Sequence, residues 1–366
     1  MQDDMEKALP GGKKPSKKNK KWVRVLLICL CVFLTLVLIG ICIFWWYVER
    51  LLGSIDYVTD DGPTLSSSEA EHLQTEGLES IDPDEDLPHI NDLQTQPTDP
   101  TGSGDKEPQG DIINILLIGQ DRRENQGSER CRSDSMILMT FNRSNGEITM
   151  TSFMRDAYVT IPGYAPYKLN AAYQYGGMSL LNETLYVNYG VEVDGNFVVD
   201  FSQFEDLIDL LGGVDIKLTK AEAEFMNNKY GWSLTAGERR LNGEEALAYS
   251  RIRYIDNDYK RAGRQRKVLL SLIDRYKSLS LMDMLGKLES VLGLVSTDMD
   301  RSEIIALARE LFPMLSSASF ESAQIPAEGT FKGGNVQVRP GLKDWFQYDI
   351  DFAANREILR EIFDAD

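Results

Sequence analysis

Ile112-Ile-Asn-Ile-Leu-Leu-Ile118, followed at once by Gly119-Gln120-Asp121 and Arg122-Arg123, decides the fold class. A short β-branched run with almost no polar alternation predicts a strand buried on both faces, as in an α/β sheet, with a carboxylate at its C-terminal end. Two further apolar runs follow the same plan. Arg132-Ser133-Asp134 precedes a predicted strand at Met136–Phe141, and Met154-Arg155-Asp156 closes one at Ile148–Phe153. An Asp at one strand end is ordinary turn chemistry. Asp/Arg pairs at three neighbouring strand boundaries favour a site, because open α/β sheets bind ligands at strand ends.

Helices alternate with strands beyond this block. Lys168-Leu169-Asn170 opens a helix that runs to about Gly190, residues 197–199 read as a strand, and residues 202–211 as a helix stopped by Gly212-Gly213. Val214–Leu218 alternates like a half-buried strand, and residues 241–249 form a short helix capped by Asn242. Ser250–Tyr254 has extended character, which puts Arg251 and Arg253 on one face. On the helix predicted for 259–279, Val268, Leu269, Leu272, Ile273 and Tyr276 define an apolar arc. Arg261 and Gln265 fall inside that arc and Arg264 at its margin. A core-facing arginine needs an anion, supplied either by a ligand or by a protein carboxylate. Helices at 302–315 and 352–363 and a strand at 323–325 complete the chain, so residues 281–366 read as the C-terminal part of the same domain.

Upstream, residues 25–48 are apolar throughout and end in Trp45-Trp46-Tyr47. They make about 36 Å of helix, enough for a bilayer core of about 30 Å. Lysines and Arg24 crowd the preceding tail, so residues 1–24 are expected in the cytoplasm and everything after Tyr47 outside it. The run is too long for a cleaved signal peptide and no small-residue cleavage site follows it. Residues 53–110 are rich in Asp, Glu, Ser, Thr, Pro and Gly, and are expected to be a disordered acidic tether before a domain that begins near residue 111.

Chemistry narrows with composition. The only two histidines, His72 and His89, fall in the tether, so the domain has no imidazole for a triad or a zinc site. Of four cysteines, Cys131 alone lies beyond the apolar segment, which leaves no internal disulfide. Carboxylates, arginines, lysines and amides remain, a set suited to hard cations and phosphates. A net charge of −18 argues against a nucleic-acid surface.

The blocks NILLIGQDRR, CRSDSM, SFMRDAYVTIPG, KLNAAYQYGG, LGGVDI, LNGEEALAYSRIR and RAGRQ, in that order over about 111–280, resemble the domain of the LytR–CpsA–Psr family of bacterial cell-envelope proteins. Cys131 departs from the pattern, since a small residue is usual there, and is read as incidental. The resemblance implies a central mixed β-sheet flanked by helices, an α-β-α sandwich with an apolar pocket for a lipid tail. It implies an extracellular phosphotransferase, anchored in the cell membrane of a Gram-positive bacterium. Such an enzyme moves an anionic glycopolymer, of wall teichoic acid or capsular type, from a polyprenyl-pyrophosphate carrier to peptidoglycan. Carried over residue by residue, Asp121 and Asp134 would hold Mg²⁺ (or Mn²⁺), and Arg155 and Asp156 would serve catalysis, Asp156 as a base or supporting group. Arg132, Lys168, Asn170, Arg251, Arg253, Arg261, Arg264 and Gln265 would bind the substrate. Two alternatives share these motifs: a lipid-phosphate-binding module or pyrophosphate hydrolase without ligase activity, and a transcriptional attenuator that acts indirectly.

Overall fold

The computed structural model describes Thr35, residues 39–58 and residues 65–363, apart from 75–77, 83–84, 86, 96–110, 122–130, 254 and 318. It divides into two units, Met1–Gly53 and Ser54–Asp366. In the first, residues 39–52 are helical and expose Phe44, Trp45 and Trp46, with Arg50 over the Trp46 ring. Much of the apolar stretch 25–48 lies outside the described residues, and among those described no helix is long and apolar enough to cross a membrane.

The second unit begins well before residue 111. β1 (Asp56–Tyr57) pairs with Ser296 and Thr297. α1 (Ser67–Leu73) carries a capping box between Ser66 and Glu69 and buries Ala70 in the main core. β2 (Glu79–Ser80) pairs with Leu342 and Lys343. The expectation that 53–110 is structureless is corrected for these residues. They carry few large apolar groups, but Leu65, Leu73, Leu78 and Ile90 reach a core that the rest of the chain builds.

β3 (Ile112–Gln120), β4 (Ser133–Asn142) and β5 (Ile148–Phe153) form an antiparallel meander. A short ribbon of β6 (Tyr158–Val159) and β7 (Tyr167–Lys168) leads into α2 (Leu169–Tyr189), which returns the chain to β8 (Gly195–Asp200), parallel to β3. α3 (Phe201–Leu211) starts on an Asp200/Gln203 capping box and stops at Gly212. β9 (Val214–Leu218), α4 (Lys220–Tyr230) and β10 (Gly237–Leu241) build a side lobe. α5 (Gly243–Ser250) starts on Asn242, with Glu245 completing its capping box, and α6 (Asp258–Lys277) starts on Asn257. α7 (Leu281–Leu292) leads to β11 (Ser296–Thr297), and α8 (Arg301–Ser317) to β12 (Phe320–Ile325). The hairpin β13 (Lys332–Arg339) and β14 (Leu342–Tyr348) precedes α9 (Phe352–Phe363).

The central sheet is mixed, with order β1-β11-β8-β3-β4-β5-β12. Strand alternation divides its side chains between two layers. Leu116, Ile118, Met136 and Leu138 join Leu181 and Leu185 of α2 in the main core. Leu117 and Ile137 face the opposite way, towards Phe204, Leu207, Leu269 and Leu272 of α3 and α6. A second core of α3, α5, α6 and the β9–β10 ribbon lies on that side.

Two local expectations change. The extended segment predicted at 250–254 begins instead as a helix end: α5 runs through Ser250 and Arg251 caps it at φ −101°, ψ 4°, while residue 254 lies outside the described residues. The long helix α2 is kinked at Gly176 and Gly177.

Candidate functional site

On the α3/α6 side the sheet and helices enclose a cavity of about 150 Å³. Its walls are apolar, from Leu117, Ile137, Val199, Phe204, Leu207 and Leu269, and its rim is polar, from Asp134, Arg251, Arg253, Arg261 and Gln265. The α6 wheel explains the division, because Arg261, Gln265 and Leu269 recur at four-residue spacing along one stripe. Arg251 and Arg253 reach the rim from the irregular backbone after α5, with the fully buried Ile252 between them as their anchor. The Arg251 guanidinium stacks over Phe201 at 4.4 Å from the ring centre.

A chain of ion pairs runs from this rim. Arg155 Nη1 donates to Asp134 Oδ1 at 2.7 Å, and Arg253 Nη2 lies 3.7 Å from Asp134 Oδ2. Arg155 Nε donates to Asp156 Oδ2 at 3.1 Å. Lys168 Nζ then bridges Asp156 Oδ1 at 3.2 Å and Asp344 Oδ2 at 2.6 Å. Burial would raise the Asp134 carboxyl, but Arg155, Arg253 and Arg261 hold it below the usual carboxylate range. Asp156 is likewise held low against its burial by Arg155 and Lys168. Its two ion pairs fix Arg155 and Lys168 in place, the supporting role that was expected of it beside that of a base.

The two buried arginines of α6 part company. Arg264 donates to Asp256 at 2.6 and 2.8 Å and to the Ile252 carbonyl at 2.8 Å, and pairs with Glu222 at 3.4 Å. It is not on the cavity rim, so its expected substrate-binding role is corrected to a structural ion pair. Among the described residues Arg261, only 4% exposed, has one ion pair, Asp258 at 3.4 Å, and its buried Nε has no hydrogen-bond partner. Burial and the neighbouring Arg155 push the Arg261 guanidinium down to about 10. Arg253 is pushed down too, by burial and by Arg155. Cations crowded so closely that their charge is disfavoured form a receptor for a polyanion.

Other expected residues are placed less uniformly. Arg132 is absent from the rim: its Nε donates to Gln174 Oε1 at 3.2 Å and its Nη2 to the Leu73 carbonyl at 3.0 Å, so it ties α1 to the domain. Asn170 is buried and its N–H donates to the Arg155 carbonyl at 3.2 Å, which steadies that turn. Arg122 and Arg123 lie outside the described residues. Asp258 was missed, although an Asp at the first position of a helix capped by Asn257 has a clear electrostatic reason. Asp121 directly follows β3, and its N–H donates to the Arg132 carbonyl at 3.4 Å, just beyond the β3–β4 ladder. Asp121 and Asp134 therefore stand at the same end of two adjacent strands. Among the described residues no cluster of three or more acidic, His or Cys side chains could hold a metal by itself. Two carboxylates, one of them held ionised, do suit Mg²⁺, which binds through one or two carboxylates and completes its shell with water and phosphate.

Known proteins resemble this chain in sequence and in fold. The chain is 32% identical over 258 residues to the regulatory protein MsrR of Staphylococcus aureus, covering 69% of this chain and 75% of that one. It is 36% identical over 225 residues, 60% of this chain and 69% of the relative, to the polyisoprenyl-teichoic acid–peptidoglycan teichoic acid transferase TagT of Bacillus subtilis. A solved structure of TagT bound to LIIa-WTA superposes with a TM-score of 0.54 at 29% identity, covering 71% of this chain and 92% of that one. Another, with bound octaprenyl pyrophosphate lipid, gives 0.52 at 27% identity, over 70% and 91% of the two chains. The LytR_cpsA_psr family model matches residues 87–345, which takes in the central sheet apart from β1, the arginine-rimmed cavity and most of the β13–β14 hairpin, and the chain belongs to that family.

Proposed function

We propose that this protein is a membrane-anchored phosphotransferase, with its folded domain outside the cytoplasm, that moves an anionic glycopolymer from a polyprenyl-pyrophosphate carrier to peptidoglycan. The observation that carries the proposal is Arg261: a buried, underpaired guanidinium at the junction of an apolar cavity and a cationic rim. An apolar tail with a doubly charged head-group answers both halves of that site, and the names of TagT and of its lipid complex support the same substrate class.

The apolar walls take the first part of the prenyl chain. Arg251, Arg253 and Arg261 clamp the two phosphates, and Gln265 offers a neutral hydrogen bond beside them. Arg155 is locked by Asp134 and Asp156, so it meets the reacting phosphorus without reorganising. A hydroxyl oxygen of the acceptor forms a new bond to the sugar-side phosphorus and releases its proton. The bridging P–O bond breaks, and polyprenyl phosphate leaves with the electron pair beside the arginines. Asp121 and Asp134 would hold Mg²⁺ or Mn²⁺, which when bound neutralises charge on the pyrophosphate.

The test is to incubate the purified protein with a lipid-linked oligosaccharide and glycan oligomers, and to follow the products by mass spectrometry. A phosphodiester-linked conjugate plus polyprenyl phosphate is expected, with both lost in Asp134→Asn. Purely hydrolytic products in the presence of acceptor would overturn the transferase assignment in favour of a hydrolase.

A further inference from the structure

On the other side of Arg155 and Arg253 from the lipid cavity lies a separate, open groove of about 1280 Å³ between the start of α6 and the β13–β14 hairpin. Arg253 lines both. Three features of the groove are incomplete within the protein.

The first is a cation without an anion. Arg266, half-buried on α6, donates through Nη1 to the Ser152 hydroxyl at 2.6 Å, and no carboxylate of the described residues pairs with it. Burial alone pushes its guanidinium down. The second is an acceptor without a donor. Gln347, 1% exposed, lines the groove with an amide oxygen that has no hydrogen-bond partner among the described residues. Its backbone is pinned, since its N–H donates to the Asp156 carbonyl at 2.9 Å. Buried polar groups left so are costly unless a ligand completes them.

The third is an aromatic surface. Tyr259 and Phe331 stack with ring centres 5.8 Å apart and planes 11° from parallel. The Trp345 indole lies over Gly333, where an added Cβ would sit 3.0 Å from its Cζ2, so any larger residue there would have to push the ring aside. Trp345 remains 38% exposed, which leaves its ring accessible from the groove it lines. A flat apolar platform, an orphan hydrogen-bond acceptor and an orphan arginine together fit a sugar ring: its C–H face, its hydroxyl or acetamido N–H, and an anionic substituent.

We propose that this groove is a glycan seat in which Trp345 stacks on a sugar ring, Gln347 accepts a hydrogen bond from it, and Arg266 pairs with its anionic substituent. The seat places a sugar hydroxyl beside Arg155 and Arg253, next to the head-group of the lipid in the neighbouring cavity. The anion has two possible sources, the lactyl carboxylate of a muramic-acid acceptor or a phosphate of the polymer being moved. The identity of the ligand rests on the transferase assignment, but its binding can be read apart from turnover.

The test uses the full chain in detergent micelles and titrates three disaccharides: one carrying muramic acid, one carrying glycerol phosphate, and neutral di-N-acetylglucosamine. One charged disaccharide is expected to bind about tenfold or more tighter than the neutral one, a charge-assisted gain. Arg266→Gln should abolish that difference and Arg266→Lys restore part of it. Trp345→Ala should weaken all three sugars, and Trp345→Phe less so. The charged sugar that loses affinity in Arg266→Gln identifies the source of the anion. Unchanged polyprenyl-pyrophosphate affinity in each variant shows that the fold and the lipid site survive. The proposal fails if wild type does not favour an anionic sugar, or if the Arg266 and Trp345 variants bind as wild type does. A wild-type protein that binds the sugars yet never transfers would count against the transferase assignment alone.

Discussion

Arg261 and Arg264 stand three residues apart on one helix, both buried, and they answer to different needs. Arg264 is fully employed by Asp256, Glu222 and the Ile252 carbonyl. Arg264→Ala would leave Glu222 buried at 6% exposure with no cation, so a loss of about 3–5 kcal/mol is expected in urea denaturation. Arg261→Ala should cost stability little, since it relieves crowding with Arg155 and Arg253, but should weaken polyprenyl-pyrophosphate binding by about 2–5 kcal/mol. The pH dependence follows the same asymmetry. With the folded-state value lowered to about 10, the fold carries the full cost of the charged form of Arg261 below that pH, and the cost falls away as pH rises from about 10 into the ordinary arginine range. An anionic ligand needs that proton, so affinity should fall as pH rises through about 10. Arg261→Gln should bind weakly and show a flatter profile over the same range, as read by titration calorimetry.

Among the elements, α2 shows where a periodic pattern misleads. Its residues predict an unbroken helix from 168 to about 190, and its ends agree: it begins at Leu169 and Gly190 closes it at φ 74°. Between them Gly177 sits at φ 68°, ψ −154°, a region that is essentially glycine's alone. A Cβ on Gly176 would meet Leu180 at 2.5 Å. Gly177→Ala should therefore cost about 1–3 kcal/mol in thermal or urea melts, although alanine favours helix interiors. The adjacent pair Gly176-Gly177 was the available signal. The segment after α5 misleads in a different way. Arg251 and Arg253 do share a side, yet because a helix cap and loop hold them there, not because a strand does.

At the scale of the molecule, the folded unit is longer than its apolar pattern suggests. β1 extends the central sheet, Ala70 is 2% exposed in the main core, and Arg132 bonds to the last residue of α1. A fragment starting at residue 111 should melt at a lower temperature than one starting at Ser54, and should leave Arg132 without its carbonyl partner. Equal melting temperatures would show that residues 54–95 merely rest on the surface.

The sequence by itself determined the elements that are periodic and locally punctuated. β5 and α9 were legible to the residue, α3 and α5 from their caps and glycines, and the strand-end cluster of Asp121, Asp134 and Arg155 from residue type and position. It also determined that α6 carries arginine on its core side. Tertiary structure alone decided which arginine lines the cavity, because whether a buried cation meets a carboxylate depends on residues far off in the chain, such as Glu222 for Arg264. It alone recruited Leu65, Ala70, Leu73, Leu78 and Ile90, sparse apolar groups that bury only against a core supplied from elsewhere. It alone set Trp345 and Gln347 on one groove with Arg266: a hairpin some eighty residues downstream lines that groove with α6, a long-range placement that leaves no mark in local periodicity.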